Sequence, residues 1–382
     1  MAGDVQAAWI AAGASIVVSA ISLAMAAWTS VRADAAQRQQ DATAQDLERL
    51  KSRLSEENDA AKAKRDYEYE ARKRLYEQLY PLAYQLHESA LHACNRIKNL
   101  ALAARGGWLA DGPDNWLTSP DPYYFNSIVH NLIAPLAIYE LMTRKLTLLD
   151  LTLDHDLHRR HAIARWAYEA LRSDYNLVDP RYPPLALGPK AETYAPPEAR
   201  PNALPSELEQ RWTWRQGLYS GQISQAVDPL LVPTGETMRV QSYAEFSKAL
   251  AGADLRAPIK ARERAAAIKQ ALGPMSELFR GFHPARRPIT WRILLAQATC
   301  YRAIVAAQTS DASSADVVRA ARFEGAADRA AFEWIGDGRL SIPPALKGEV
   351  DFAADQASAF ACADVFLENV VKDFDARCQA RA

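Results

Sequence analysis

An all-α fold is what the sequence predicts, on three observations. Apolar residues recur at helical spacing through most of the chain, and few runs alternate with period two. No Gly or Pro interrupts the 67 residues from Ala14 through Tyr80. Where Gly and Pro gather, as at Gly106-Gly107 and between Asp111 and Pro122, they stand between periodic stretches and mark helix ends and loops. The expected architecture is one N-terminal transmembrane helix continuing into a long helical stalk, then a helical cytoplasmic body. Its divisions are a transmembrane anchor (1–30), a helical stalk or coiled coil (31–80), a helical subdomain (81–179), a Pro-rich linker (180–205) and a second helical subdomain (206–382).

The anchor is read from Ala8 to Trp28, which carries no charge, no Pro and one Gly. Trp9 and Trp28 bracket it at a helical distance of about 28 Å, close to one hydrocarbon layer. Tryptophan at both edges suits the two membrane interfaces. A cleaved secretory signal is the first alternative, since Ala24-Met25-Ala26 resembles a cleavage site. The stretch Met1 to Gln6 lacks a positive charge, however, and the apolar run is too long for that reading. A buried helix is the second alternative, because Ala, Ser and Gly fill much of the segment. No Lys or Arg precedes the segment, while Arg32, Arg38, Arg49, Lys51 and Arg53 follow it. The positive-inside rule then places the bulk of the chain in the cytoplasm, with the N-terminus outside the inner membrane. Cys94, Cys300, Cys362 and Cys378 lie far apart without zinc spacing, as expected of reduced thiols.

Ala12, Ser15, Ser19, Ser22, Ala26 and Thr29 repeat at alternating spacings of 3 and 4. Small residues on one face let helices approach closely, and hydroxyls bond across the contact. This seam predicts self-association, and a pore lined by Ser15, Ser19 and Ser22 is its sharper form. The same frame runs on through Ala33, Ala36, Gln40, Thr43, Leu47, Leu50 and Leu54. Only the leucines are good coiled-coil knobs, so a solvated linker helix remains the alternative. Beyond it, Tyr76, Tyr80 and Tyr84 share one face and are expected to dock the stalk as core, before Pro81 permits a kink or a new helix.

In the body, helices are expected at Leu82–Arg105, Tyr123–Tyr175 (one or two), Ser206–Asp228, Tyr243–Ala251, Ala257–Leu272, Pro288–Gln308, Ala315–Trp334 and Val350–Arg377. The eight prolines between Pro180 and Pro205 set the boundary between two subdomains.

Chemistry is sparse. Asp154, His158 and His161 share a helical face, but no fourth zinc ligand is legible, HExxH is absent, and Arg159 and Arg160 repel a cation. A solvated face is the plainer reading, and no metal or cofactor is expected. The net charge of −1 hides nine Lys/Arg between Arg256 and Arg292. Within that stretch Arg280, His283, Arg286, Arg287, Trp291 and Arg292 form the candidate site for an anionic ligand, since Arg forks suit phosphate and aromatics stack on bases. Internal pairing with the acidic stretch Asp311 to Asp375, or contact with the inner leaflet, are the alternatives. No phosphate-binding, dinucleotide, nucleophile-elbow or CxxC motif occurs, so no enzymatic activity is expected.

The short N-terminal tail, the span Ala8–Trp28, the charged stalk and the motif-free helical body resemble the single-span membrane effectors of bacterial antiphage defence, Hailong-type systems among them. Arg72-Lys-Arg-Leu-Tyr-Glu-Gln-Leu-Tyr-Pro-Leu82 resembles a pattern of bacterial proteins with this layout. The resemblance covers about the first 100 residues and transfers no functional residue. It implies a homo-oligomer in the lipid bilayer, an ion channel or membrane-disrupting pore, set by a nucleotide or oligonucleotide ligand from a nucleotidyltransferase partner. A membrane-tethered scaffold presenting a helical interaction domain is the second functional expectation.

Overall fold

The computed structural model describes residues 2–109, 116–117, 123–146, 149–172, 216–235, 237–251, 258–307, 313–335 and 352–379. These are overwhelmingly helical, as the all-α expectation requires. The chain divides into two units, Met1–Glu70 and Ala71–Ala382. Helix α1, Ala2–Arg105, contributes to both.

In the first unit every described side chain from Gly13 through Tyr67 is exposed, including all the apolar ones. Leu47, Leu50 and Leu54 are about half exposed.

The second unit begins with the buried stripe of α1. Leu75, Leu79, Leu82, Leu86, Ala90, Ala93, Ile97, Leu100 and Ala104 follow the 3.6-residue repeat and face the core. This corrects two expectations. The helix does not restart at Pro81, because leucines bury on both sides of the proline and packing holds the helix through it. Tyr76, Tyr80 and Tyr84 are 41%, 54% and 62% exposed, so they are not core residues. They sit one residue beyond the leucine stripe, which turns them away from the core.

Helix α2 (Tyr123–Lys145) and helix α3 (His155–Ala170) divide the segment expected as one or two helices. The Asp154 carboxylate starts α3 by accepting from Leu157 N at 2.8 Å. Helix α4 (Ser220–Val227) leads into a two-stranded antiparallel hairpin, β1 (Leu231–Thr234) and β2 (Thr237–Val240), paired Leu231 to Val240 through Thr234 to Thr237. The hairpin was not anticipated. Its signal is Pro233-Thr-Gly235, with Gly235 at φ +60, where a Cβ is penalised. Residues 206–215 of the expected helix Ser206–Asp228, and the Pro-rich stretch 180–205, lie outside the described residues.

Helices α5 (Tyr243–Ala251), α6 (Ile259–Ala271), α7 (Gly273–Phe279) and α8 (Pro288–Ala306) follow. Helix α8 is buried on almost every side and packs on both α3 and α11 (Phe352–Gln379). Pro288 opens it without losing a hydrogen bond, and the Gln216 side chain accepts from Ile289 N and Thr290 N at 3.2 and 3.3 Å. Arg160 closes it by donating to Ala307 O. One core therefore runs from Leu75 to Val370, in place of the two subdomains expected around the Pro-rich stretch. Expected helix Ala315–Trp334 is two, α9 (Ser314–Ala321) and α10 (Ala326–Ala330). Phe323 enters the core between Phe332 and Phe360 and breaks the helix there. Cys94, Cys300 and Cys362 are free and buried, and burial pushes the Cys94 thiol up to about 11 and the Cys362 thiol up to about 12.

Candidate functional site

The N-terminal segment is apolar and solvent-facing at once. Trp9 is 75% exposed and Trp28 is 56% exposed, and Ile10, Ile16, Val17, Val18, Ile21, Leu23 and Met25 between them are exposed too. The segment is long and apolar enough to cross a membrane. A continuous apolar surface of this size in a folded chain calls for a partner or a bilayer. Arg32 lies over the Trp28 ring at 4.0 Å, which puts a cation on the aromatic at the expected interface. Of the predicted seam, Ser15, Ser19, Ser22 and Ala26 are exposed, while the side chain of Ala12 is outside the described set. Ser19 Oγ donates back to Ser15 O at 2.8 Å, and Thr29 Oγ1 donates to Met25 O and Ala26 O, so these hydroxyls keep their acceptor sites for a neighbour.

The six predicted anion-binding residues do not form one surface. His283, Trp291 and Arg292 are each at most 1% exposed and Arg286 is 6% exposed. They occupy the turn before α8 and its first residues, and α8 is the central helix, so its start is drawn into the core. His283 Nδ1 accepts from Ala285 N at 3.1 Å, and its ring stands edge-on to Trp334. Arg292 donates to Ser358 Oγ at 3.0 Å. Arg287 donates to Glu277 O and Leu278 O, closing the end of α7. Arg280 alone faces solvent, in an ion pair with Glu277 at 2.6 Å. Arg287 thus holds a helix end, Arg292 bonds within the core, and the six residues are not presented together on one exposed surface.

The histidine run is placed differently. Asp154 caps α3, and His155 and His158 stand edge-on to Phe374. Arg159 pairs with Asp156 at 3.0 Å. His161 meets Thr143 Oγ1 at 3.2 Å, and burial pulls its pKa down to about 4, so it is neutral at physiological pH. His158, His161, Arg165 and Trp166 line a small cavity of about 290 Å³ with Asp150. No group of three or more metal-ligating side chains occurs among the described residues.

A wide concavity lies elsewhere, between the hairpin, α5 and α6. It is an open cleft of about 1150 Å³. Leu231, Val232, Pro233, Ala261 and Ile268 supply apolar lining, and Arg239, Lys248, Lys260 and Arg264 supply positive charge beside Asp228 and Glu245. Its walls are tied down. Arg239 and Glu245 make a double hydrogen bond between β2 and α5, and Glu245 also accepts from Ser242 N at 2.9 Å. Gln241 joins the base of the hairpin to the body, donating from Nε2 to Pro229 O and from its backbone N to Leu230 O, while its carbonyl meets His130 Nε2. The sequence holds the basic stretch that includes Lys260 and Arg264. Nothing in it says that these two share a cavity with Lys248, because the hairpin that builds the wall is itself hard to read.

No family model, curated protein or solved structure matches the chain.

Proposed function

We propose that the protein is a membrane-anchored homo-oligomeric effector, with Ala8–Trp28 crossing the inner membrane and the body in the cytoplasm. The observation that carries this reading is the exposure of the large apolar side chains from Trp9 to Trp28. In water each such side chain forgoes about 1.5–3 kcal/mol of burial, and a bilayer supplies that burial. Arg32 and the later cations keep the following segment on the cytoplasmic side. Self-association is supported by the small-residue seam of the span and by exposed Leu47, Leu50 and Leu54 beyond it. In this reading the assembled span forms an ion-conducting or membrane-disrupting pore lined by Ser15, Ser19 and Ser22. A nucleotide-type ligand or a partner protein sets its state, in antiphage defence.

The test is the triple variant Ser15→Leu, Ser19→Leu, Ser22→Leu. Carbonate-resistant membrane insertion persists, and ion leakage from cells or loaded vesicles stops. Leakage equal to that of the unmodified chain removes the pore, and a monomer in detergent removes the oligomer with it.

A further inference from the structure

The cleft between the hairpin, α5 and α6 has a charge pattern with no structural purpose. Its two carboxylates are already neutralised: Asp228 by Arg144 at 3.2 Å and Glu245 by Arg239. That leaves Lys248, Lys260 and Arg264 on the same lining, each exposed and with no ion-pair partner among the described residues. Lys260 and Arg264 stand four residues apart on one face of α6, a like-charge spacing that destabilises a helix. Lys248 comes from α5, which packs against α6. Two helices thus bring three cations to one space, where each raises the cost of the others.

We propose that this cleft binds a soluble organic polyphosphate. Its phosphoryl groups meet Lys248, Lys260 and the forked guanidinium of Arg264, and its organic part lies on Leu231, Val232, Ala261 and Ile268. A ligand with two or more negative charges converts the mutual repulsion into attraction, and Arg presents the two-pronged donor that a phosphoryl group accepts. The volume of about 1150 Å³ admits a molecule the size of a nucleoside triphosphate. Among the described residues no aromatic ring lines the cleft, so the organic part is held by aliphatic contact and not by stacking. The site lies wholly within the unit Ala71–Ala382, and the inference does not depend on membrane insertion.

The experiment is calorimetric titration of the full chain in detergent micelles with ATP and, separately, with inorganic tripolyphosphate, at low and high salt. ATP binds saturably and weakens as salt rises. Tripolyphosphate binds about tenfold more weakly, which corresponds to about 1.4 kcal/mol from the aliphatic contact. Lys248→Gln, Lys260→Gln and Arg264→Gln together reduce ATP affinity about 100-fold or more, since all three charged contacts to the phosphoryl groups are lost. Because all three side chains are exposed, the thermal midpoint without ligand does not fall. No saturable binding of ATP, or equal affinity in the triple variant, overturns the site. Equal affinity for tripolyphosphate and ATP overturns the role of the aliphatic lining. Binding to phosphatidylglycerol vesicles that is lost in the triple variant, with none to ATP, assigns the cations to lipid headgroups and overturns the soluble ligand.

Discussion

Arg239 of β2 and Glu245 of α5 face each other fork to fork, with Nη1 to Oε2 at 2.7 Å and Nη2 to Oε1 at 2.5 Å. Glu245 is also the third residue of α5, and Ser242 N donates to the same carboxylate while Glu245 N donates to Ser242 Oγ. One carboxylate thus closes a capping box and ties the hairpin to the helix beside the cleft. Hydrogen bonds from Arg239 and then Ser242 hold the Glu245 pKa down at about 2. A lowered carboxylate pKa adds stability above the ordinary value near 4.5 that is lost as pH falls towards 2. Glu245→Gln keeps a capping side chain and removes the charge. Between pH 5 and pH 2 its thermal midpoint is expected to fall less steeply than that of the parent chain, as followed by circular dichroism.

His161 runs the same way by a different cause. Burial holds its pKa at about 4, below the ordinary 6.5. The neutral ring is the folded form, so its contribution is present above pH 6.5 and is lost as pH falls from there towards 4. His161→Phe, beside Tyr139, is expected to flatten the decline in stability over that interval. Denaturant midpoints measured at pH 7 and pH 4.5 test it.

The leucine stripe and the tyrosine stripe of α1 differ by one residue in register and should differ in energy. Leu79 is fully buried, and Leu79→Ala is expected to cost about 2–5 kcal/mol. Tyr84 is exposed, and Tyr84→Ala should stay within about 0.5 kcal/mol of the parent. Urea titration of both variants decides between the two faces.

Gln216 is buried and accepts from the first free N–H groups of α8. Gln216→Ala leaves those donors without their acceptor inside the core. A loss of about 1–3 kcal/mol is expected, and amide exchange at Ile289 and Thr290 should accelerate.

The proposed span makes its own prediction. Val17 and Ile21 lie near its centre, one turn apart. Arginine at both positions adds about 5–7 kcal/mol to insertion, and the protein should leave the carbonate-resistant membrane fraction. Retention there would remove the transmembrane reading.

Much of this was legible in the chain order of the residues. The 3.6-residue repeat of α1, the helix Tyr243–Ala251 and the start of α8 at Pro288 follow from local rules of spacing and capping, which act within a few residues. The apolar run from Trp9 to Trp28 is a matter of composition, and its large side chains are exposed in the structure. What depended on distant residues was not legible. Whether Leu79 or Tyr80 faces inward is settled by what packs against α1. That α8 is central is settled by α3 and α11 closing on both its sides, and this turned the arginine-rich segment after Arg280 from a surface into an interior. Lys248, Lys260 and Arg264 became one site only when a hairpin of two four-residue strands closed the wall beside α5 and α6. Charge and periodicity are carried by single residues and their neighbours in sequence. Burial and convergence are properties of pairs far apart in it, and only the folded chain brings those pairs together.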